Sequence, residues 1–286
     1  MADAAISVRD LRKRYGDYEA VRGISFEVAR GEVFGLLGPN GAGKTTTVEI
    51  LEGYRERTAG EVAVLDHDPA AGERALKEQI GIVLQGSGFY PNATVLEAVA
   101  QFAKFYPHPR EPREIVQLVG LEEKADARLK SLSGGQRRRL DLALALVGDP
   151  AVIFLDEPTT GFDPAARRSA WRVIETLKEL GKTVLLTTHY LDEAQSLSDR
   201  VAIIKDGVIV AEGPPSELSP DSARYRVAYN ENGHRVELET DDPTELLHRL
   251  TSEALGRGKR LEGLTVSRPT LEDVYLELTE QEAGSE

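Results

Sequence analysis

The chain of 286 residues contains no cysteine, which excludes disulfides and thiolate metal sites. It also lacks long apolar runs. Stretches such as Ala151–Leu155 fall far short of the ~20 residues that a membrane-spanning helix needs. The opening Met1-Ala2-Asp3-Ala4-Ala5 has neither the basic nor the apolar segment of a secretory signal. An excess of positive charge is missing too. The net charge of −13 argues against a surface that coats nucleic acid, so no nucleic-acid partner is expected. Together these absences point to a cytosolic protein. What is present, 41% hydrophobic and 29% charged residues, is enough to bury a core.

The acid is unevenly placed. Residues 215–286 carry twice as many Asp and Glu as Arg and Lys, and this shift begins at the breaker cluster Gly213-Pro214-Pro215-Ser216. The expected organisation is a large domain over residues 1–214 and a small accessory domain over residues 215–286.

The large domain is organised around Gly38-Pro39-Asn40-Gly41-Ala42-Gly43-Lys44-Thr45, which reads G-x-x-x-x-G-K-S/T. The apolar run Val33–Leu37 before it suits a buried strand, and Thr45–Leu51 after it reads as the first turns of a helix. Such a loop wraps a polyanion: its N–H groups and the helix N-terminus point at phosphates. Lys44 adds a positive charge, and the Thr45 hydroxyl is placed to ligate Mg²⁺. The residues expected to hold the nucleotide run from Gly38 through Pro39, Asn40, Gly41, Ala42, Gly43, Lys44 and Thr45 to Thr46.

Further strands are expected at Ile6–Leu11, Ile24–Val28, Gly60–Leu65, Ile80–Leu84, Val152–Leu155 and Thr183–Thr187. Asp206-Gly207 signals a hairpin between Val201–Ile204 and Val208–Ala211. Helical periodicity runs from about residue 90 to 148, beginning with the capping-box pattern Thr94 and Glu97, and again over Pro164–Leu180 and Leu191–Leu197. Strands alternating with helices argue an α/β fold with a mainly parallel sheet, here with an antiparallel β flank and an inserted helical subdomain. The tail repeats a smaller α+β pattern around Asn232-Gly233, and its Thr270–Leu278 puts Leu271, Val274, Tyr275 and Leu278 on one helical face.

Two further stretches carry chemistry. Asp156-Glu157 ends a buried strand, where ligands bind in such sheets. Asp156 can hold Mg²⁺ through water, and Glu157 can accept a proton from an attacking water, the two projecting from opposite faces of the strand. In Leu132-Ser133-Gly134-Gly135-Gln136, Ser133 is a good N-cap, and the glycines leave the backbone open at a second anion-binding helix end. The run Arg137-Arg138-Arg139 that follows reads as a solvated helix start.

With that stretch the chain resembles the ATP-binding cassette (ABC) ATPases over about residues 4–215. Leu-Ser-Gly-Gly-Gln is similar to that family's signature, and the phosphate loop, a glutamine, the signature, an Asp-Glu strand and a histidine come in the family's order. The resemblance implies an ATP- and Mg²⁺-dependent ATPase that closes as a head-to-tail homodimer in the ATP-bound state. In such a dimer Ser133, Gly134, Gly135 and Gln136 meet the γ-phosphate held by the other subunit. By the same resemblance, Tyr15 stacks on adenine, Gln85 contacts Mg²⁺ and water, and His189 contacts the γ-phosphate and orients the water. Asp163, in Thr160-Gly161-Phe162-Asp163 where the family more often has Ser-Gly-Leu-Asp, belongs to the loop that crosses the dimer interface.

Within the family, Gln136–Ala143 and the tail Arg268–Thr279 look like those of the daunorubicin-resistance-type drug and lipid exporters. This implies an ATPase subunit coupled to a separate membrane permease and held through it on the inner face of the cell membrane. Gln85 and the helical block after it are expected to meet that permease. The alternatives are a soluble ABC ATPase acting on a macromolecular assembly and an importer ATPase.

Overall fold

The computed structural model describes residues 4–83, 91–218, 225–231 and 234–267. The chain divides into two compact units, Met1–Pro214 and Pro215–Glu286.

The first unit opens with two long strands, β1 (Ala4–Tyr15) and β2 (Tyr18–Ala29), which pair antiparallel. There follow β3 (Val33–Leu37), α1 (Lys44–Leu51), β4 (Ala59–Val64), α2 (Arg74–Lys77) and β5 (Ile80–Val83). A helical block comes next: α3 (Val95–Ala103), α4 (Pro112–Leu118) and α5 (Gly134–Leu146). The remainder is β6 (Val152–Asp156), α6 (Pro164–Glu179), β7 (Thr183–Thr188), α7 (Leu191–Leu197), β8 (Arg200–Lys205) and β9 (Val208–Gly213).

The expected parallel sheet with its antiparallel flank is there, but as two separate sheets. β2-β1-β4 is antiparallel throughout. The second sheet runs β5-β6-β7-β3-β8-β9, parallel except for β9 at its edge. β3, β7 and most of β6 are buried on both faces, so their sequences are apolar runs rather than alternations.

The pleat still sorts those residues. Val152 and Phe154 of β6 and Leu185 of β7 fall in the core shared with β1, β2, β4 and α1. Their chain neighbours Ile153, Leu155, Val184 and Leu186 fall in the core shared with the helical block and α6. The two cores thus meet across the sheet. Thr94 accepts from the Glu97 N–H while the Glu97 side chain accepts from the Thr94 N–H, and this box starts the helical block at α3.

The second unit contains α8 (Pro215–Leu218), β10 (Tyr225–Glu231), β11 (His234–Thr240), α9 (Pro243–Gly256) and β12 (Glu262–Ser267). Its sheet is antiparallel in the order β11-β10-β12. Asp242 caps α9 by accepting from the N–H groups of Thr244 and Glu245. The expected turn at Asn232-Gly233 and the tail Arg268–Thr279 lie outside the described residues. Among the described residues no helix is long and apolar enough to cross a membrane.

Candidate active site

The phosphate loop joins β3 to α1, and two of its glycines have no room for a side chain. A Cβ on Gly38 would stand 2.2 Å from the Ile204 carbonyl oxygen. Gly43, the residue before α1, has φ +103° and faces the Ala20 carbonyl, so it meets both a steric and a conformational demand. No side chain caps α1, so its first N–H groups face the cleft. The Lys44 ammonium is buried and donates to the carbonyls of Gly38 (2.7 Å) and Pro39 (3.0 Å). Burial pushes its pKa down from the ordinary lysine value, and Glu157 and Asp156 oppose that shift.

The loop borders a cleft of about 600 Å³ lined by Tyr15, Tyr18, Asn40, Gly41, Thr46 and Arg55 among others. Tyr15, 40% exposed, stands on its rim with the Lys13 ammonium 5.1 Å and the Arg55 guanidinium 5.3 Å from its ring centre. Neither Tyr18 nor Arg55 was marked by a motif. They are placed by the β1–β2 pairing and by the turn after α1, which no local pattern encodes.

The Asp-Glu pair lies at the end of β6. Asp156 Oδ1 accepts from the Thr187 hydroxyl (2.5 Å) and is 3.5 Å from the Thr45 hydroxyl. Glu157 does not continue the strand, contrary to the alternation expected of it. Its φ of +46° turns the chain out of the sheet, and its N–H donates to the hydroxyl (3.0 Å) and carbonyl (3.2 Å) of Thr187. Its carboxylate accepts from Thr160 Oγ1 (3.1 Å), lies 3.6 Å from the Lys44 ammonium, and is 3.3 Å from His189 Nδ1, which is off hydrogen-bonding alignment. Burial pushes the Glu157 pKa up, but Thr160, Lys44 and His189 together outweigh it and hold the carboxyl below its ordinary value. Glu157 is therefore ionised at neutral pH.

α5 begins differently. Ser133 Oγ accepts from the Gln136 N–H (3.3 Å), and Gln136 Oε1 accepts from the Ser133 N–H (2.9 Å), a complete capping box. A second cleft, of about 920 Å³, runs along this helix start past Gly134, Gly135, Glu157, Thr160 and Asp163. Asp163 caps α6, its Oδ1 accepting from the N–H groups of Ala165 and Ala166, both at 2.9 Å. Glu157 lines both clefts. Among the described residues, the cleft lined by Ser133–Gln136 and the cleft lined by the phosphate loop have only Glu157 in common.

The arginine run is not a wholly solvated helix start. Arg137 is exposed, but Arg139 donates to the Gly120 carbonyl (2.7 Å), and Arg138 turns into the strand end behind Glu157. Helical spacing alone put these residues on the surface; the carbonyls at the end of β6 draw Arg138 inward, while the bond from Arg139 to Gly120 is exposed. Gln85 lies outside the described residues.

A glycine-bounded phosphate loop, an Asp-Glu strand end and a second glycine-led helix start on one α/β scaffold define a nucleotide-hydrolysing cassette. Residues 21–160 match the ABC transporter family model. The Nod factor export ATP-binding protein I of Burkholderia orbicola is 38% identical over 309 residues, covering 99% of each chain. The protein of the same name from Paraburkholderia xenovorans is 44% identical over 76% of this chain and 73% of its own. Among solved structures, cbiO1 from Clostridium perfringens, part of the ABC transporter complex cbiONQ, superposes with a TM-score of 0.69 at 32% identity. It covers 77% of this chain and 92% of that one. A dimeric post-hydrolysis ATP-binding cassette bound to ADP and Pi superposes at 0.65, with 26% identity over 73% of this chain and 98% of that one. The chain belongs to the ABC transporter family as an ATP-binding subunit, and its reaction is hydrolysis of ATP to ADP and phosphate.

Proposed function

We propose that this ATPase closes as a homodimer on ATP and Mg²⁺ and drives a separate membrane permease in export. The observation that carries the reading is the pair of half-sites: one chain presents a phosphate-loop cleft and a signature cleft, bordered in common by Glu157 alone among the residues of the motifs. A second copy placed head to tail brings its Ser133, Gly134, Gly135 and Gln136 to the phosphates held by the loop from Gly38 to Thr46. Tyr15 stacks on the base, and the Asp163 loop crosses between subunits.

In hydrolysis Glu157 takes the proton of the attacking water as the γ-phosphorus bonds to its oxygen and ADP leaves. His189, beside Glu157, holds the γ-phosphate and the water in line. Thr45 and Asp156 bring hard oxygen donors together, a set that fits Mg²⁺. Thr45, Asp156 and Gln85 would hold the ion, which supplies neutralisation of the phosphate charge.

The permease meets the groove lined by Tyr54, Phe102 and Tyr106 beside the helical block, together with Gln85; Tyr54 and Phe102 are exposed there. Through that contact the subunit sits on the inner face of the cell membrane. The Burkholderia orbicola relative named for Nod factor export matches over 99% of the chain, second unit included, which favours export of an amphipathic cargo such as a drug or lipid over import.

Mixing two inactive variants tests the arrangement. In a heterodimer of Gly135→Asp with Glu157→Gln, one composite site carries both lesions and the other carries none. Recovery of ATPase activity in the mixture supports sites shared between subunits, whereas full-rate hydrolysis by a diluted monomer refutes them. Copurification of a polytopic membrane protein tests the coupling.

A further inference from the structure

Arg138 has no role in the reaction described so far, yet it touches the backbone that carries the base. It stands on α5, the helix that begins at the signature. Its Nη2 donates to the Asp156 carbonyl (3.0 Å) and lies 3.5 Å from the Glu157 carbonyl, while its Nε donates to the Pro158 carbonyl (3.2 Å). One planar guanidinium therefore spans three consecutive carbonyls, a geometry that a lysine ammonium cannot reproduce.

The segment it holds is under tension. Glu157 has φ +46°, a conformation that is costly for a side-chain-bearing residue and persists only where the surroundings enforce it. Two elements enforce it. Thr187 of β7 takes the Glu157 N–H, and Arg138 of α5 takes the carbonyls on either side of that residue and comes close to its own. The guanidinium is itself partly buried. Burial pushes its pKa down from the ordinary arginine value, with Asp141 and Asp156 opposing, so charge-assisted hydrogen bonds to the carbonyls offset its desolvation.

We propose that Arg138 is a positioning residue that ties the placement of Glu157 to the signature helix of the same chain. That tie holds Glu157 in its working orientation within its own subunit. The inference rests on the reading of Glu157 as base.

The test uses Arg138→Met and Arg138→Lys in the full chain, each alone and combined with Glu157→Gln. ATP affinity, kcat, KM and melting temperature are measured for each. Arg138→Met is expected to lower kcat about 10- to 100-fold with KM and ATP affinity unchanged, the size of effect that slight misplacement of a catalytic group produces. Arg138→Lys, which keeps the charge but not the fork, is expected to recover part of the rate. On the slow residual turnover of Glu157→Gln, Arg138→Met should have no further effect, because no base is left to position.

Parental kcat in Arg138→Met overturns the proposal. So does a loss that multiplies in full on the Glu157→Gln background, which marks general damage to the fold. Should Arg138→Met not fold, Arg138→Lys decides: a lowered kcat at unchanged KM supports the tie and a parental kcat refutes it. Parental turnover in Glu157→Gln by itself would remove the base reading, an outcome separate from either result at Arg138.

Discussion

The helix α1 opens at Gly43 with no side chain capping it, whereas α5 opens behind Ser133 and Gln136, which close each other's backbone. Both starts are rich in glycine and both present N–H groups toward a cleft. At α1 no side chain among the described residues takes these donors, and Lys44 is already drawn under the loop by the Gly38 and Pro39 carbonyls. At α5 one donor is taken by Ser133 Oγ, and the Ser133 N–H by Gln136 Oε1. The loop is ready for phosphate within its own chain; the signature has a self-satisfied resting state from which a ligand must compete. On the proposed reading, the loop holds the phosphates first and the signature joins from a neighbour, two tasks that call for different degrees of preorganisation.

The largest expected effect falls at the residue that borders both clefts. Glu157→Gln should bind ATP as the parent does and lose about 10²- to 10⁴-fold in turnover, read by steady-state phosphate release. A parental rate would mean that neither half-site depends on that carboxylate. Next comes Lys44→Ala, which removes the charge beneath the loop. Hydrogen bonds to charged groups contribute about 1.5–3 kcal/mol, so ATP affinity should fall about 10- to 100-fold in equilibrium binding. Unchanged affinity would show that the free N–H groups of α1 carry the phosphates unaided.

α1 is followed at its far end by Glu52, whose carboxyl is buried and pushed up to about 8, first by that burial and then by Asp156 and Glu49. The folded chain then binds a proton at Glu52 that the unfolded chain releases near the ordinary glutamate pKa. The stability this contributes is fully present below the unfolded value and is lost as pH rises toward 8. Thermal melts from pH 5 to 9 should show a falling melting temperature, and Glu52→Gln should flatten that slope by several degrees at the alkaline end. An unaltered slope would assign the pH dependence to other groups. The smallest effect should come from Ser133→Ala, which opens the capping box at a cost of about 1 kcal/mol in stability, measurable by denaturant unfolding. Asp163→Ala, which uncaps α6, should cost a similar amount.

What could be read from residues alone follows the range of the interaction. The phosphate loop, its strand and its helix are encoded within a continuous stretch, as are the box at Thr94 and Glu97 and the hairpin at Asp206-Gly207. Strand length was less legible. β1 and β2 reach Tyr15 and Tyr18 because each extends the other's ladder, and that pairing has no local signal. The split of the flank into its own sheet was hidden for the same reason.

At the site, residue types named the chemistry but not the geometry. Glu157 leaves the strand because of what β7 and α5 offer it, and Arg138 turns inward to the carbonyls at the end of β6. Tertiary packing overrides the strand and helix periodicities there, at the positions nearest the reacting groups.

Phe154 and Leu155 are adjacent and fully buried, yet the pleat of β6 assigns them to different cores. In genetic terms they belong to separate complementation neighbourhoods. A lesion at Phe154 is inherited by the side that holds Val48, Ile50 and Leu51 of α1, and compensating second-site changes should map there. A lesion at Leu155 is inherited by the side that holds Leu140, Leu142 and Leu146 of α5, and its suppressors should cluster among those residues instead. One step along the chain thus decides whether damage is transmitted to the loop's helix or to the signature's.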